Sequence, residues 1–169
     1  MKDKPHLGHL PPKYKFILNP YVDARFTRCP SCRATMRQRT VPLLIHVAPH
    51  YLNVFVHTCR YCPDCDLLLT HWDELGWKMT DYFYAYDQTV IGNDFLISGT
   101  VERQAWDRYL RQPMYIDKLL AHVHDFEKVY RLEGSAGTWT LEDDTATLHA
   151  GIQDIIPAHI YTLESPHAE

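Results

Sequence analysis

The chain has 169 residues, of which 46% are apolar and 22% charged, and a formal net charge of −4. These values fit one medium or two small soluble globular domains and exclude an intrinsically disordered segment. The longest apolar runs, such as Leu67-Leu68-Leu69, are far too short to span a bilayer, so no membrane partner is expected.

In chain order, residues 1–12 read as an extended arm, with Gly8 and Pro11-Pro12 breaking any regular period. Residues 13–18 alternate polar and apolar as a short strand closed by Asn19-Pro20, and residues 21–28 read as a second one. Residues 36–47 form a strand whose Pro42 points to an edge position or a bulge. Residues 52–58 are its β-branched return strand. Residues 67–77 read as a short helix ended near Gly76. Residues 81–86 and 94–98 read as a hairpin around Gly92-Asn93. Residues 101–111, after an N-cap at Thr100, and residues 117–132, after Asp117, read as helices. Residues 133–169 carry seven acids and no Lys or Arg, the composition of a loosely packed acidic tail with room for one docked strand.

The strongest chemical signal is cysteine spacing. Cys29-Pro30-Ser31-Cys32 and Cys59-Arg60-Tyr61-Cys62-Pro63-Asp64-Cys65 bracket strand-type sequence. A Cys-x-x-Cys turn offers two soft donors from one tight loop, and two such turns on neighbouring hairpins close a tetrahedron around a metal ion. The N-terminus lacks the apolar stretch of a secretory signal. A cytoplasmic location follows as the expectation, and there ligation is favoured over disulfides.

On these motifs residues 25–66 resemble a zinc ribbon, in which two Cys-Pro-x-Cys knuckles cap a small antiparallel sheet. The resemblance implies a structural zinc ion and covers about a quarter of the chain. Arg33 and Asp66 stand where such knuckles often carry Gly. The 29 residues between Cys32 and Cys62 are also more than the usual spacing. Five cysteines compete for four places. Cys62-Pro63-Asp64-Cys65 repeats the form of the first knuckle, which favours Cys29, Cys32, Cys62 and Cys65, with Cys59 the alternative ligand. The Cys59, Cys62, Cys65 spacing also matches part of an iron–sulfur ligand run.

Charge is divided along the chain. Residues 1–60 carry ten Lys/Arg against Asp3 and Asp23, whereas residues 61–169 carry seven against nineteen acids. Arg25, Arg28, Arg33, Arg37 and Arg39 surround the first knuckle, a pattern suited to phosphates and bases, to a protein partner, or to pairing with the chain's own acidic C-terminal half. His122 and His124, read as lying on a helix, are the candidates for catalysis or a second metal site, but they do not share a helical face. The sequence contains none of the metalloprotease, nucleophile-elbow or phosphate-loop motifs, and no catalytic residue is assigned.

The expected architecture is α+β. An arm and short strand (1–22) precede a zinc-ribbon domain (23–78). A hairpin and two helices (79–132) pack on it through the Trp and Tyr of residues 72–115, and an acidic tail (133–169) follows. The expected role is a non-enzymatic binding module for a protein complex or a nucleic acid. The alternative is an enzyme or a redox or iron–sulfur accessory protein.

Overall fold

The computed structural model describes residues 6–49, 51–135 and 137–155. In chain order it contains β1 (Lys15–Asn19), β2 (Arg37–Val47), β3 (Tyr51–Cys62), β4 (Leu67–His71), α1 (Trp72–Tyr86), β5 (Phe95–Val101), α2 (Arg103–Arg111), α3 (Ile116–Leu119), β6 (Val123–Asp125), β7 (Lys128–Glu133), β8 (Thr140–Asp143) and α4 (Thr145–Ile155). The strands form one mixed sheet of order β6-β5-β2-β3-β4-β1-β7-β8. The class is α+β.

The β2–β3 hairpin is the backbone of the sheet, paired from Arg37↔Tyr61 to Val47↔Tyr51. Pro42 marks where β2 changes character. On its other side β5 pairs only from Leu43 onward, with a register shift between Leu44 and Ile45. The missing N–H of Pro42 therefore falls where that edge is open, as proline in a strand requires. Residues 37–40 on this open edge are all exposed.

The sheet curls until its first strand meets the chain that leads into β1. His9 N donates to Leu120 O, Leu10 N to Val123 O and Lys13 N to Asp125 O, at 2.9, 3.0 and 2.9 Å. The buried Asp125 carboxylate accepts Leu7 N and Gly8 N, both at 2.9 Å. A Cβ on Gly8 would lie 2.3 Å from Val123 O, so only glycine permits this approach. The arm is thus built into the fold from His6 onward.

Because the sheet is covered on both faces, it has two cores. The larger holds Phe16, Leu43, Phe55, Leu68, Trp106 and Phe126 among others, with Leu75, Met79 and Phe83 of α1 laid over it. The smaller holds Ile17, Phe26, Cys29, Met36, Cys62, Leu67, Leu69 and Leu132. Period-two alternation divides β1 and β4 between them: Phe16 and Leu68 face one core, and Ile17, Leu67 and Leu69 the other.

Several expectations fail for physical reasons. Residues 67–71 form a strand because every one of them is buried, and an apolar run without alternation does not declare its period. The expected strand at 81–86 is the end of α1, whose Asp87 N–H bonds Phe83 O. No strand forms at 21–28 beyond the single Arg28↔Thr35 bridge. The helix expected at 117–132 is one turn, α3, with a 3₁₀ turn (Leu120–His122) after it; β6 and β7 follow, since pairing with β5, β1 and the arm outweighs a helical period. Of the large aromatics of residues 72–115, Trp72, Tyr82, Phe83, Phe95, Trp106 and Tyr109 pack on the larger core rather than beside the Cys29 and Cys62 knuckles, whereas Trp77, Tyr84 and Tyr115 are exposed; Trp72, for example, stacks on Phe95. Residues 140–155 are not loose: β8 pairs with β7, and α4 buries Leu148, Ile152 and Ile155. Residues 1–5 and 156–169, the outer parts of the expected arm and tail, lie outside the described residues. No described helix is long and apolar enough to cross a membrane.

Candidate metal centre

The first knuckle is a miniature hairpin between the residue 20 loop and β2. Cys29 N donates to Ala34 O at 2.8 Å, Arg33 N to Cys29 O at 2.8 Å and Met36 N to Thr27 O at 2.9 Å. Ser31 N points at Cys29 Sγ, 3.4 Å away. The second knuckle is the β3–β4 turn, closed by the pair Cys62↔Leu67. Arg33 and Asp66, each following the second cysteine of its knuckle, adopt φ of 66° and 54°. This is the left-handed conformation that glycine supplies elsewhere, held here by non-glycine residues at a cost of about 1–2 kcal/mol each.

The support for Asp66 explains how the second knuckle bears that cost. Tyr61 Oη donates to Asp66 Oδ1 at 2.7 Å, and Lys15 N donates to Asp66 O at 2.9 Å. The Arg39 guanidinium lies 3.8 Å over the Tyr61 ring and bonds Tyr14 Oη at 3.2 Å. Arg39, assigned from sequence to a partner, is therefore engaged in bracing the knuckle. Tyr14, Tyr61 and Asp66 carry no sequence signature for this role, because it depends on strand register.

The two knuckles bring four sulfurs together. Cys29 Sγ lies 4.0 Å from Cys65 Sγ, Cys32 Sγ lies 3.5 Å from Cys62 Sγ, and all four fall within 4.8 Å of one another. The group could hold a metal ion. Burial pushes the Cys62 thiol up, and burial with the neighbouring Cys32 pushes Cys65 up to about 12. Cys32 is pulled down, chiefly by its hydrogen bond with the backbone of Ala34. A bound cation reverses this logic by favouring thiolates together.

Cys59 is not part of the group. It faces the larger core, 3.1 Å from Thr70 Oγ1, and burial pushes its thiol up to about 11. Beside it Lys78 Nζ donates to Val56 O at 2.6 Å and lies 3.2 Å from His57 Nδ1. Burial, with the Lys78 charge, holds His57 down at about 4. The unfolded chain takes up this proton first, so stability present above about pH 6.5 is lost as pH falls toward 4, by about 3 kcal/mol in full. An NMR titration is expected to find the His57 ring still neutral at pH 5; a midpoint near 6.5 would contradict the burial argument.

The remaining sequence candidates separate. Arg25 forms a two-point ion pair with Asp73 and holds that carboxyl below its ordinary range. Arg28 donates to Arg33 O at 3.3 Å. Arg33 and Arg37 are exposed, with no side-chain partner among the described residues. Arg25, Arg28 and Arg33 edge a groove of about 1070 Å³ beside Cys29, whose aromatic lining is Tyr21, Phe26 and Trp139. Trp139, from the β7–β8 connection, packs on both other rings and was not singled out from the sequence. His124 lies on β6 with Nδ1 2.7 Å from Pro11 O, and His122 ends the 3₁₀ turn, so neither sits on a helix face.

No protein-family model matches the chain, and neither a curated protein nor a solved structure shows significant similarity to it.

Proposed function

We propose that the chain is a non-enzymatic binding module in which a structural zinc ion fixes an arginine-bearing knuckle against single-stranded nucleic acid. The observation that carries this reading is the convergence of Cys29, Cys32, Cys62 and Cys65. Four thiolates at about 2.3 Å from zinc in a tetrahedron sit about 3.8 Å apart, and the 3.5 and 4.0 Å spacings bracket that value. A cluster of several irons places cysteines on different metals and spreads their sulfurs wider, so the same spacing disfavours the iron–sulfur alternative. Zinc supplies folding energy and no redox chemistry here, in keeping with a reducing, cytoplasmic setting.

The nucleic-acid side of the proposal rests on the groove. Exposed Arg28 and Arg33 are positioned for phosphates beside the Tyr21, Phe26 and Trp139 rings, with Arg37 on the adjoining open edge. Charged residues also protect an open edge from pairing with another chain, and this is the competing account of Arg37. The test is fluorescence-anisotropy titration of a short single-stranded RNA and DNA at several salt concentrations. Replacing Arg28, Arg33 and Arg37 with Ala is expected to weaken binding and flatten the log–log salt slope by about 2, the share of three phosphate contacts. No binding at low salt, or equal binding by the variant, would leave a protein partner as the occupant.

A further inference from the structure

A second charged site lies away from the cysteines, at the end of α2. Arg108 and Arg111, three apart on the last turn of that helix, face a cleft of about 590 Å³ with Lys118 of α3 and His122. Gln112, Pro113, Met114 and Tyr115 complete its lining. The volume is that of a small-molecule site.

The charge arrangement is unusual for this half of the molecule. Residues 61–169 hold nineteen acids and only seven Lys/Arg, yet three of the seven converge here. No acidic side chain lines the cleft among the described residues, and Asp107, the acid next to Arg108, is paired with Arg103. The carboxyl end of α2 offers only about half a negative charge, which leaves most of three full cations uncompensated among the described side chains. Such a set calls for a dianion; two arginines and a lysine are the donors that phosphate takes. Tyr115, 74% exposed, stands at the same cleft with Met114. An aromatic ring left in water beside a phosphate-sized cation cluster is a platform for a base.

We infer that this cleft binds a nucleotide, its phosphate held by Arg108, Arg111 and Lys118 and its base laid on Tyr115. The site does not depend on the knuckle groove. Calorimetry on the full metal-loaded chain would use adenosine 5′-monophosphate, inorganic phosphate and a short single-stranded oligonucleotide carrying a terminal phosphate. Arg108→Gln with Arg111→Gln is expected to weaken the monophosphate on the order of 10-fold or more, since two charge-assisted hydrogen bonds are lost. These side chains are exposed, so thermal unfolding should be unchanged. Tyr115→Ala is expected to weaken the monophosphate by about tenfold and to leave inorganic phosphate unaffected. The variant with Arg28, Arg33 and Arg37 replaced should bind the monophosphate normally. Tighter binding of the oligonucleotide than of the monophosphate, lost in the same cleft variants, would assign the nucleotide to a strand end and uphold the site. Absence of binding by every probe, or equal affinity for inorganic phosphate and the monophosphate with no effect of Tyr115→Ala, would overturn the inference.

Discussion

Replacing Cys62 with Ser is expected to remove the metal and to release the segment around both knuckles while the larger core persists. Cys62 is fully buried and supplies one of four donors, so the variant leaves three thiols around a weak oxygen ligand. Loss of a structural metal belongs to the small class of changes that cost more than about 4 kcal/mol. The damage should be uneven. The smaller core has few apolar residues, and two of them, Cys29 and Cys62, belong to the four-cysteine group. The larger core does not contain the site. Hydrogen exchange is therefore expected to show lost protection at the amides of Cys29, Arg33 and Met36, with protection retained along residues 43–47 of β2, which are paired on both sides. Unchanged protection at the first knuckle would mean that the cysteines do not staple it.

Gly99→Ala is expected to be as damaging, through sterics alone. A Cβ there would lie 2.1 Å from His124 O and 2.9 Å from Asp125 Cα, both backbone atoms of the paired strand. That strand cannot retreat, because residues 7–13 are bonded along its far side and Asp125 grips Leu7 and Gly8. The expected loss is about 3 kcal/mol or more, at the upper end for overpacking. Gly92→Ala is the matched control. Gly92 has φ +86° with nothing within 4 Å, so its replacement costs only backbone strain, of about 1–2 kcal/mol. Urea denaturation of the two variants should separate them clearly. Equal stabilities would show that the β5–β6 contact is looser than its geometry implies.

What the sequence discloses about this fold follows from where local pattern and tertiary demand agree. The long β2–β3 hairpin is legible because Val, Leu and Ile fill β2, Val, Phe and Tyr fill β3, and the cysteine turns bound them. Which four cysteines converge is also decidable in principle. Cys59 and Cys62 are three apart on one strand, so period-two alternation puts them on opposite faces, and a strand continued to Cys62 removes Cys59 from the site. The triple leucine of β4 concealed its strand, since burial on both faces erases alternation. The 117–132 stretch had a helical period that lost to strand pairing with residues far away in sequence. The clamp of Asp125 on the arm spans 118 residues and leaves no local trace. The support of the second knuckle by Tyr14, Arg39 and Tyr61 is hidden for the same reason. Arginine count suggested five partner contacts, yet Arg25 and Arg39 are engaged with Asp73 and with the tyrosines. Which cations remain available to a ligand is a property of the folded surface, and it moves attention to Arg28, Arg33 and Arg37, and to the α2–α3 cleft.

The central claim is that Cys29, Cys32, Cys62 and Cys65 form a structural zinc site, and metal analysis of the purified chain by native mass spectrometry tests it most directly. The account predicts a single zinc ion per chain, a colourless protein, and loss of the ion from the Cys62→Ser variant but not from Cys59→Ser. A chain purified without metal, or one carrying iron with visible absorbance, would contradict it.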